Sequence, residues 1–275
     1  MEKKLHGIYG MKVLRNMWQL SRKHTLQYFI NTPSLNTQMV TLTYQERFKT
    51  LKGVFDEFTN RTLFTLQSKG IFDELESPLS VGKEANVFIA KAGDTKVIVK
   101  IYRMQNADFK TMFSYIKKDP RYDFLKNNRR QIILSWTQRE YKNLMKAYNA
   151  GVKVPEVLGW KNNVIVEEFI GDVKNTIPAP PLKDHYPAYP YQFIQDIVRE
   201  MKKLYDAGMI HGDLSSFNIL NDNEKPVLID FSQATLVKTP NSEELLERDI
   251  KNIAQFCTKL RIDIDVTKIQ EMFKK

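Results

Sequence analysis

The run Ile210-His211-Gly212-Asp213-Leu214-Ser215-Ser216-Phe217-Asn218-Ile219-Leu220, followed by Leu228-Ile229-Asp230-Phe231, constrains this chain more than any other stretch. Acid and amide side chains are set between aliphatic runs that read as buried strands. Ile219-Leu220 and Val227-Leu228-Ile229 flank the turn-forming residues Asn221 to Pro226, which predicts a hairpin. A hairpin there brings Asn218 and Asp230 to one end of two paired strands, so spacing along the chain becomes convergence in space. Read as plain structure, the same residues are a turn after a helix, a cap and a strand-end acid. That reading gives no reason for three polar residues to interrupt apolar strands.

The residue types suit phosphoryl transfer from a metal nucleotide. A carboxylate (Asp213) can orient or deprotonate an attacking hydroxyl, and the Asn218 amide oxygen and Asp230 can hold Mg²⁺ on phosphates. Hard oxygen ligands suit Mg²⁺, which keeps several waters and needs few protein groups.

Upstream, the runs Val87 to Ala90 and Thr95 to Tyr102 surround Gly93-Asp94 and predict antiparallel strands. The first follows a small loop, Ser80-Val81-Gly82-Lys83-Glu84-Ala85-Asn86, whose backbone N–H groups could cover phosphates, although it holds a single glycine. Lys100 lies inside an apolar strand, which is costly unless its ammonium meets an anion. A nucleotide phosphate and a helix carboxylate are the natural partners; an exposed strand-face lysine is the alternative. A helix over about Trp136 to Tyr148 supplies Glu140 as that carboxylate, unless Glu140 is an ordinary exposed helix residue. Val164 to Gly171 reads as a strand running into a linker between lobes, where backbone groups can meet an adenine edge. Pro178 to Pro190 reads as loop. Tyr191 to Ala207 reads as an amphipathic helix closed by Gly208, and residues 243–260 and 266–273 as closing helices.

With 275 residues, the chain can bury a sizeable core as one large domain or two lobes. Lys plus Arg total 42 against 32 Asp plus Glu, a net +10 that favours anionic partners such as nucleotide or RNA, or else reflects a lysine-rich composition. The single Cys257 excludes an internal disulfide and a cysteine-based zinc site. No apolar run reaches membrane-spanning length, and the expectation is a soluble, cytoplasmic protein. Residues 1–45 match no pattern beyond a basic amphipathic helix over Met11 to Ile30, which either docks on the domain or binds a partner. Residues 103–130 read as a polar loop whose basic part, 117–130, is either a mobile RNA-facing or substrate-facing segment or solvated surface.

Together these motifs resemble a protein kinase-like fold, and more narrowly the type-one branch of the RIO family of atypical serine/threonine kinases. Gly82-Lys83-Glu84-Ala85-Asn86-Val87 is the most specific piece. Val99-Lys100-Ile101-Tyr102-Arg103, Glu168-Phe169-Ile170-Gly171 and Ile229-Asp230-Phe231-Ser232-Gln233 are also similar to RIO patterns. The resemblance implies an α+β, two-lobed fold with an antiparallel N-lobe sheet and a mainly helical C-lobe. It implies a division into an N-terminal extension (1–45), helices with the N-lobe (46–170) and a C-lobe (171–275).

It further implies an ATP- and Mg²⁺-dependent phosphotransferase or ATPase, with Mn²⁺ as a substitute, acting on small-ribosomal-subunit precursors or their rRNA. Lys100 would contact phosphates and Glu140 would hold it. The Glu168 carbonyl and Ile170 amide would bind adenine, with Ser80 to Asn86 over the triphosphate. Asp213 would be the base, with Asn218 and Asp230 on the metal. Asp230 would also accept a phosphoryl group.

The chain departs from that pattern in places. Val81 stands where Thr is usual, and Glu167 occupies a normally apolar place before the hinge, either contacting adenine or pointing away. Phe231-Ser232 replaces Phe-Gly, and no APE-type anchor follows. A peptide-binding activation segment is therefore missing, which disfavours phosphorylation of exposed protein loops. The rival readings are a small-molecule or tRNA-complex-associated kinase, which also uses an HGD loop, and a nucleotide-gated assembly scaffold.

Overall fold

The computed structural model describes residues 55–105 and 107–273. The chain divides into a unit of residues 1–56 and a unit of residues 57–275, and the sheet and helices described below all belong to the second. The expected helix over Met11 to Ile30 lies outside the described residues.

A first helix, α1 (Glu57–Ser68), precedes β1 (Glu74–Val81), β2 (Ala85–Ala92) and β3 (Thr95–Tyr102). Helices α2 (Phe109–Lys117) and α3 (Arg129–Asn149) follow, then β4 (Val157–Lys161) and β5 (Val164–Glu168). These five strands form one antiparallel sheet in the order β1-β2-β3-β5-β4. The two-residue Gly93-Asp94 turn sets the β2–β3 register, with Ala92 opposite Thr95 and Lys100 opposite Val87. β1 and β4 were not foreseen. The burial along β1 is low and does not alternate, so period-two patterning carries no signal for it.

The region read as a polar loop, 103–130, is mostly ordered against the core, which corrects that expectation. Asp108 caps α2 by accepting from Thr111 N, and Met112 and Ile116 bury one helical face. Tyr122 and Leu125 pack with Ile132, Ile133 and Trp136 of α3. α3 starts at Arg129, capped by Asn128, seven residues before the predicted start. Its first turns are basic on the exposed side, which hid the buried Ile132-Ile133 pair.

The rest of the chain is mainly helical. A short hairpin, β6 (Gly171–Asp172) with β7 (Ile177–Pro178), follows the sheet. Gly171 has φ 136°, and a Cβ there would lie 2.4 Å from Ile177 O, so only glycine lets the linker turn so closely. α4 (Pro190–Asp206) leads into β8 (Met209–Ile210), then β9 (Ile219–Asp222) and β10 (Lys225–Leu228), β11 (Thr235–Leu236), α5 (Ser242–Lys259) and α6 (Val266–Glu271). Phe193, Ile197, Met201 and Leu204 of α4 recur at helical spacing and join Leu214, Ile219, Leu228, Phe231, Ile253 and Phe256 in one core. The predicted β9–β10 hairpin forms, with Leu228 opposite Ile219. Ile229 N donates to Asn218 O at 3.0 Å, extending that pairing up to the residues of interest. Among the described residues, no helix is long and apolar enough to cross a membrane.

Candidate active site

Lys100 projects from the middle of β3 with its side chain 11% exposed. Its Nζ lies 2.6 Å from Glu140 Oε1 and 3.2 Å from Asp230 Oδ1. Burial works against the ammonium, but Asp230 and Glu140 outweigh it and keep Lys100 protonated far above its ordinary range. Glu140, 1% exposed, also accepts a hydrogen bond from the Tyr102 hydroxyl. The alternative reading of Glu140 as an exposed helix acid is thereby removed, as is that of Lys100 as a solvated strand lysine.

Asp230 sits just past β10 with φ 62°, a left-handed conformation that aspartate tolerates better than most residues. Ser232 stabilises it: its Oγ donates to Asp230 Oδ1 at 2.7 Å and its N at 3.3 Å. Burial raises the carboxyl's proton affinity, yet Lys100 and the Ser232 hydroxyl overcome this and hold Asp230 below the usual carboxylate range. Among the described residues both partners meet Oδ1, which leaves Oδ2 as the oxygen for a ligand.

Asp213 lies in the turn after β8. Its Oδ2 receives Asn218 Nδ2 and Gln233 Nε2, each at 3.3 Å, and Asn218 Nδ2 also donates to Asp213 O at 2.9 Å. Burial raises Asp213 above its ordinary value, and repulsion from Asp230 adds to it. Because the Asn218 nitrogen is committed to Asp213, its Oδ1 is the free end. A free amide oxygen and a free carboxylate oxygen on neighbouring strand ends are the hard donors that Mg²⁺ takes, so these residues fit that ion.

The turn that carries Asp213 is fixed from below by Asp249 of α5. Asp249 accepts Gly212 N at 2.7 Å and Leu214 N at 2.8 Å, and Asn252 Nδ2 donates to Leu214 O at 2.9 Å. Burial pushes the Asp249 carboxyl up to about 7, against those two N–H bonds. The chain passes so close here that a Cβ on Gly212 (φ 75°) would lie 3.0 Å from Gln233 O. His211, 2% exposed, pairs its Nε2 with Ile229 O at 3.0 Å, and burial lowers it to about 4, so it is neutral and structural.

A second device ties the segment after Asp230 to α3. Arg139, 1% exposed, donates to Ser232 O at 3.0 Å and to buried Asp119 at 3.2 Å. Asn143 Nδ2 donates to Phe231 O at 3.1 Å and Ala234 O at 2.6 Å. Arg121 closes the network on Asp119 Oδ2 at 2.6 Å and Asn143 Oδ1 at 2.9 Å. Arg121 thus serves packing inside the stretch first read as RNA-facing or solvated.

The remaining expected residues fall at the rim. The loop between β1 and β2 is shorter than read. Ser80 and Val81 end β1, Ala85 and Asn86 begin β2, and only Gly82-Lys83-Glu84 form the turn. Gly82 N donates to Ala85 O at 2.9 Å and Arg103 N to Glu84 O at 2.9 Å, so the turn is held closed. Burial, and after it the charge of Asp230, raises the Glu84 carboxyl above its ordinary value. In the linker, Glu168 N donates to Glu156 O at 2.8 Å and Ile170 O accepts from Ala179 N at 2.9 Å. Sequence reasoning missed Gln233, which bonds the Asp213 carboxylate, and Arg139, Asn143 and Asp249, which act largely through backbone groups that no spacing rule marks.

Similarity to known proteins identifies the family of the chain. The RIO domain family matches residues 86–271. The chain is 38% identical over 228 residues to the RIO-type serine/threonine-protein kinase Rio1 of Haloferax volcanii, covering 82% of this chain and 78% of that protein. It is 41% identical over 221 residues to the Rio1 kinase of Methanocaldococcus jannaschii, covering 80% and 75%. Among solved structures, the Rio2 kinase-ADP/Mg²⁺-phosphoaspartate complex from Chaetomium thermophilum superposes with TM-score 0.59 at 24% identity, over 78% of this chain and 66% of that one. A second Rio2 structure from that organism gives 0.61 at 22% identity, over 78% and 67%. The structural likeness establishes the two-lobed kinase-like fold.

Proposed function

The chain belongs to the RIO family of serine/threonine protein kinases, and from that premise we propose that it transfers or hydrolyses the γ-phosphate of ATP in the cytoplasm, on small-ribosomal-subunit precursors. As a member of that family it is an ATP-dependent phosphotransferase. The observation that supports the finer reading best is Lys100 held between Glu140 at 2.6 Å and Asp230 at 3.2 Å, beside the Asp213–Asn218 pair. That arrangement supports a reading in which one fixed cation, a base and two oxygen donors act together. A bound Mg²⁺, held by Asn218 and Asp230, supplies charge neutralisation for the phosphates.

In this reading the Glu168 carbonyl and Ile170 N–H take the adenine edge, since Glu168 N and Ile170 O are already bonded within the protein. Ser80 to Asn86 cover the triphosphate, and Lys100 aligns its phosphates. When a hydroxyl is the acceptor, its oxygen bonds to the γ-phosphorus as the bond to ADP breaks, and Asp213 receives its proton. When Asp230 is the acceptor, a carboxylate oxygen makes that bond, and water later releases phosphate from the acyl phosphate. The second route is supported by the low proton affinity of Asp230 and by the phosphoaspartate of the Rio2 kinase-ADP/Mg²⁺ complex. The net +10 suits an RNA-rich partner. Only residues 231–241 separate Asp230 from α5, which leaves little chain for a peptide-binding platform.

The test is incubation with γ-labelled ATP, with and without small-subunit precursors, following free phosphate and labelled protein together. The expected result is magnesium-dependent turnover, and an acid-stable, hydroxylamine-sensitive adduct that disappears in Asp230→Asn. An adduct that persists unchanged in that variant moves the acceptor to another residue.

A further inference from the structure

One carboxyl on the Lys100 face of the sheet is largely buried yet keeps contact with solvent. Glu167 is 8% exposed, and among the described residues no hydrogen bond or ion pair satisfies it. Burying an acid without a partner is costly, and a neutral aliphatic residue would fill the same strand position without that cost. The carboxyl is therefore open to a polar group that arrives from outside the protein.

The sheet register fixes where Glu167 faces. It stands opposite Ile98, and Lys100 stands opposite Ile165. Residues opposite one another share a face, and so do alternate residues of a strand, so Ile98, Lys100, Ile165 and Glu167 line one side of the sheet. Lys100 and Glu167 are diagonal neighbours, about 7–8 Å apart at that spacing. This is the side on which Glu140 and Asp230 reach Lys100, and the charges of Glu140, Lys100 and Asp230 all act on Glu167. The next residues in the chain, Glu168 to Ile170, form the linker. A base seated against that linker, with its phosphates at Lys100, lies across the Glu167 side chain.

We propose that Glu167 reads the nucleobase, selecting a purine that carries an amine at C6 over one that carries a carbonyl there. The proposal rests on the nucleotide reading above and deepens it. A carboxyl offers an acceptor to the exocyclic amine of adenine. Guanine turns two acceptors, O6 and N7, toward the same edge, so one carboxyl oxygen always faces a lone pair. Burial, followed by repulsion from Glu140, pushes Glu167 up to about 8. The protonated acid then presents a donor beside an acceptor, which matches the N7 and amine of adenine together. Both protonation states prefer adenine, so the selection does not depend on the titration.

The experiment measures dissociation constants of ATP, GTP and purine riboside triphosphate, which lacks any C6 substituent, with Mg²⁺ present. Full-length wild type, Glu167→Gln and Glu167→Leu are compared after thermal melts establish that each is folded. In Glu167→Leu the preference for ATP over both other nucleotides should shrink roughly ten-fold, the loss of one buried hydrogen bond. Glu167→Gln, which keeps an acceptor beside a donor, should retain most of the preference. Binding of all three nucleotides by Glu167→Leu with wild-type ratios overturns the proposal alone. Failure of wild type to bind any of the three overturns the nucleotide reading and this proposal with it.

Discussion

Arg139 and Glu140 are consecutive on α3 and hold different parts of one site: Glu140 Oε1 lies 2.6 Å from Lys100 Nζ, while Arg139 donates at 3.0 Å to the carbonyl of Ser232. Consecutive helix residues point about 100° apart, so α3 must lie wedged between the sheet and the segment after Asp230. A single helix therefore sets the distance between Lys100 and Asp230. Moving α3 would break the lysine's pair and loosen the acid's loop in one step.

Arg139→Met removes the guanidinium from buried Asp119 and leaves the Ser232 carbonyl without its donor. The expected cost is roughly 3 kcal/mol, at the low end for breaking a buried pair, because Arg121 still holds Asp119. Urea unfolding checks this, and an unchanged midpoint would show that the clamp carries no stability.

Lys100→Met takes away the cation shared by Glu140 and Asp230, and turnover should fall about 100-fold with a smaller change in KM for ATP. Glu140→Gln keeps a partner for Tyr102 and should cost less. Because both residues position the same ammonium, the double variant should be little worse than Lys100→Met. Phosphate release by the four proteins tests this, and strictly additive losses would place the two residues in separate roles.

Much of this site was legible because its parts are chemically unusual where they stand. Lys100 in an apolar strand and Asp230 after an aliphatic run are exceptions that only a partner explains; the helix carboxylate beside Lys100 was foreseen, whereas the pairing of Asp230 with Lys100 and Ser232 was not. The β9–β10 hairpin followed from turn residues between two aliphatic runs. The devices that aim these groups were not legible. Asp249 looks like any helix acid, and Arg139 like any helix cation, until the fold brings backbone groups to them. β1 and α2 escaped because an exposed strand and a short helix bury too few residues to show a period.

Asp213→Asn should lower turnover about 10²- to 10⁴-fold, the usual contribution of a positioned base, while ATP binding survives. Asn218 and Gln233 would still have an oxygen to bond, so the fold should hold. Burial and Asp230 raise the Asp213 carboxyl, so the acid limb of the wild-type rate profile should lie above the ordinary carboxylate range. Single-turnover assays across pH check both outcomes, and wild-type rates in the variant would remove Asp213 from the chemistry.

His211 gives the fold a pH dependence whose sign can be worked out. It is lowered from 6.5 to about 4 because burial disfavours the imidazolium, despite the Nε2 bond to Ile229 O. The unfolded chain therefore takes up a proton near pH 6.5, where the folded chain does not. The stabilising contribution of the neutral ring is complete above pH 6.5 and is lost as pH falls toward 4, by about 3 kcal/mol in total. The raised carboxyls of Asp249 and Glu167 act with the opposite sign, so the His211 effect must be read as a difference between proteins. His211→Gln, whose amide can still donate to Ile229 O, should be less stable than wild type at pH 8 and approach or overtake it at pH 5. Denaturant titrations at both values decide the matter: parallel curves would mean that the ring titrates alike in the folded and unfolded chain.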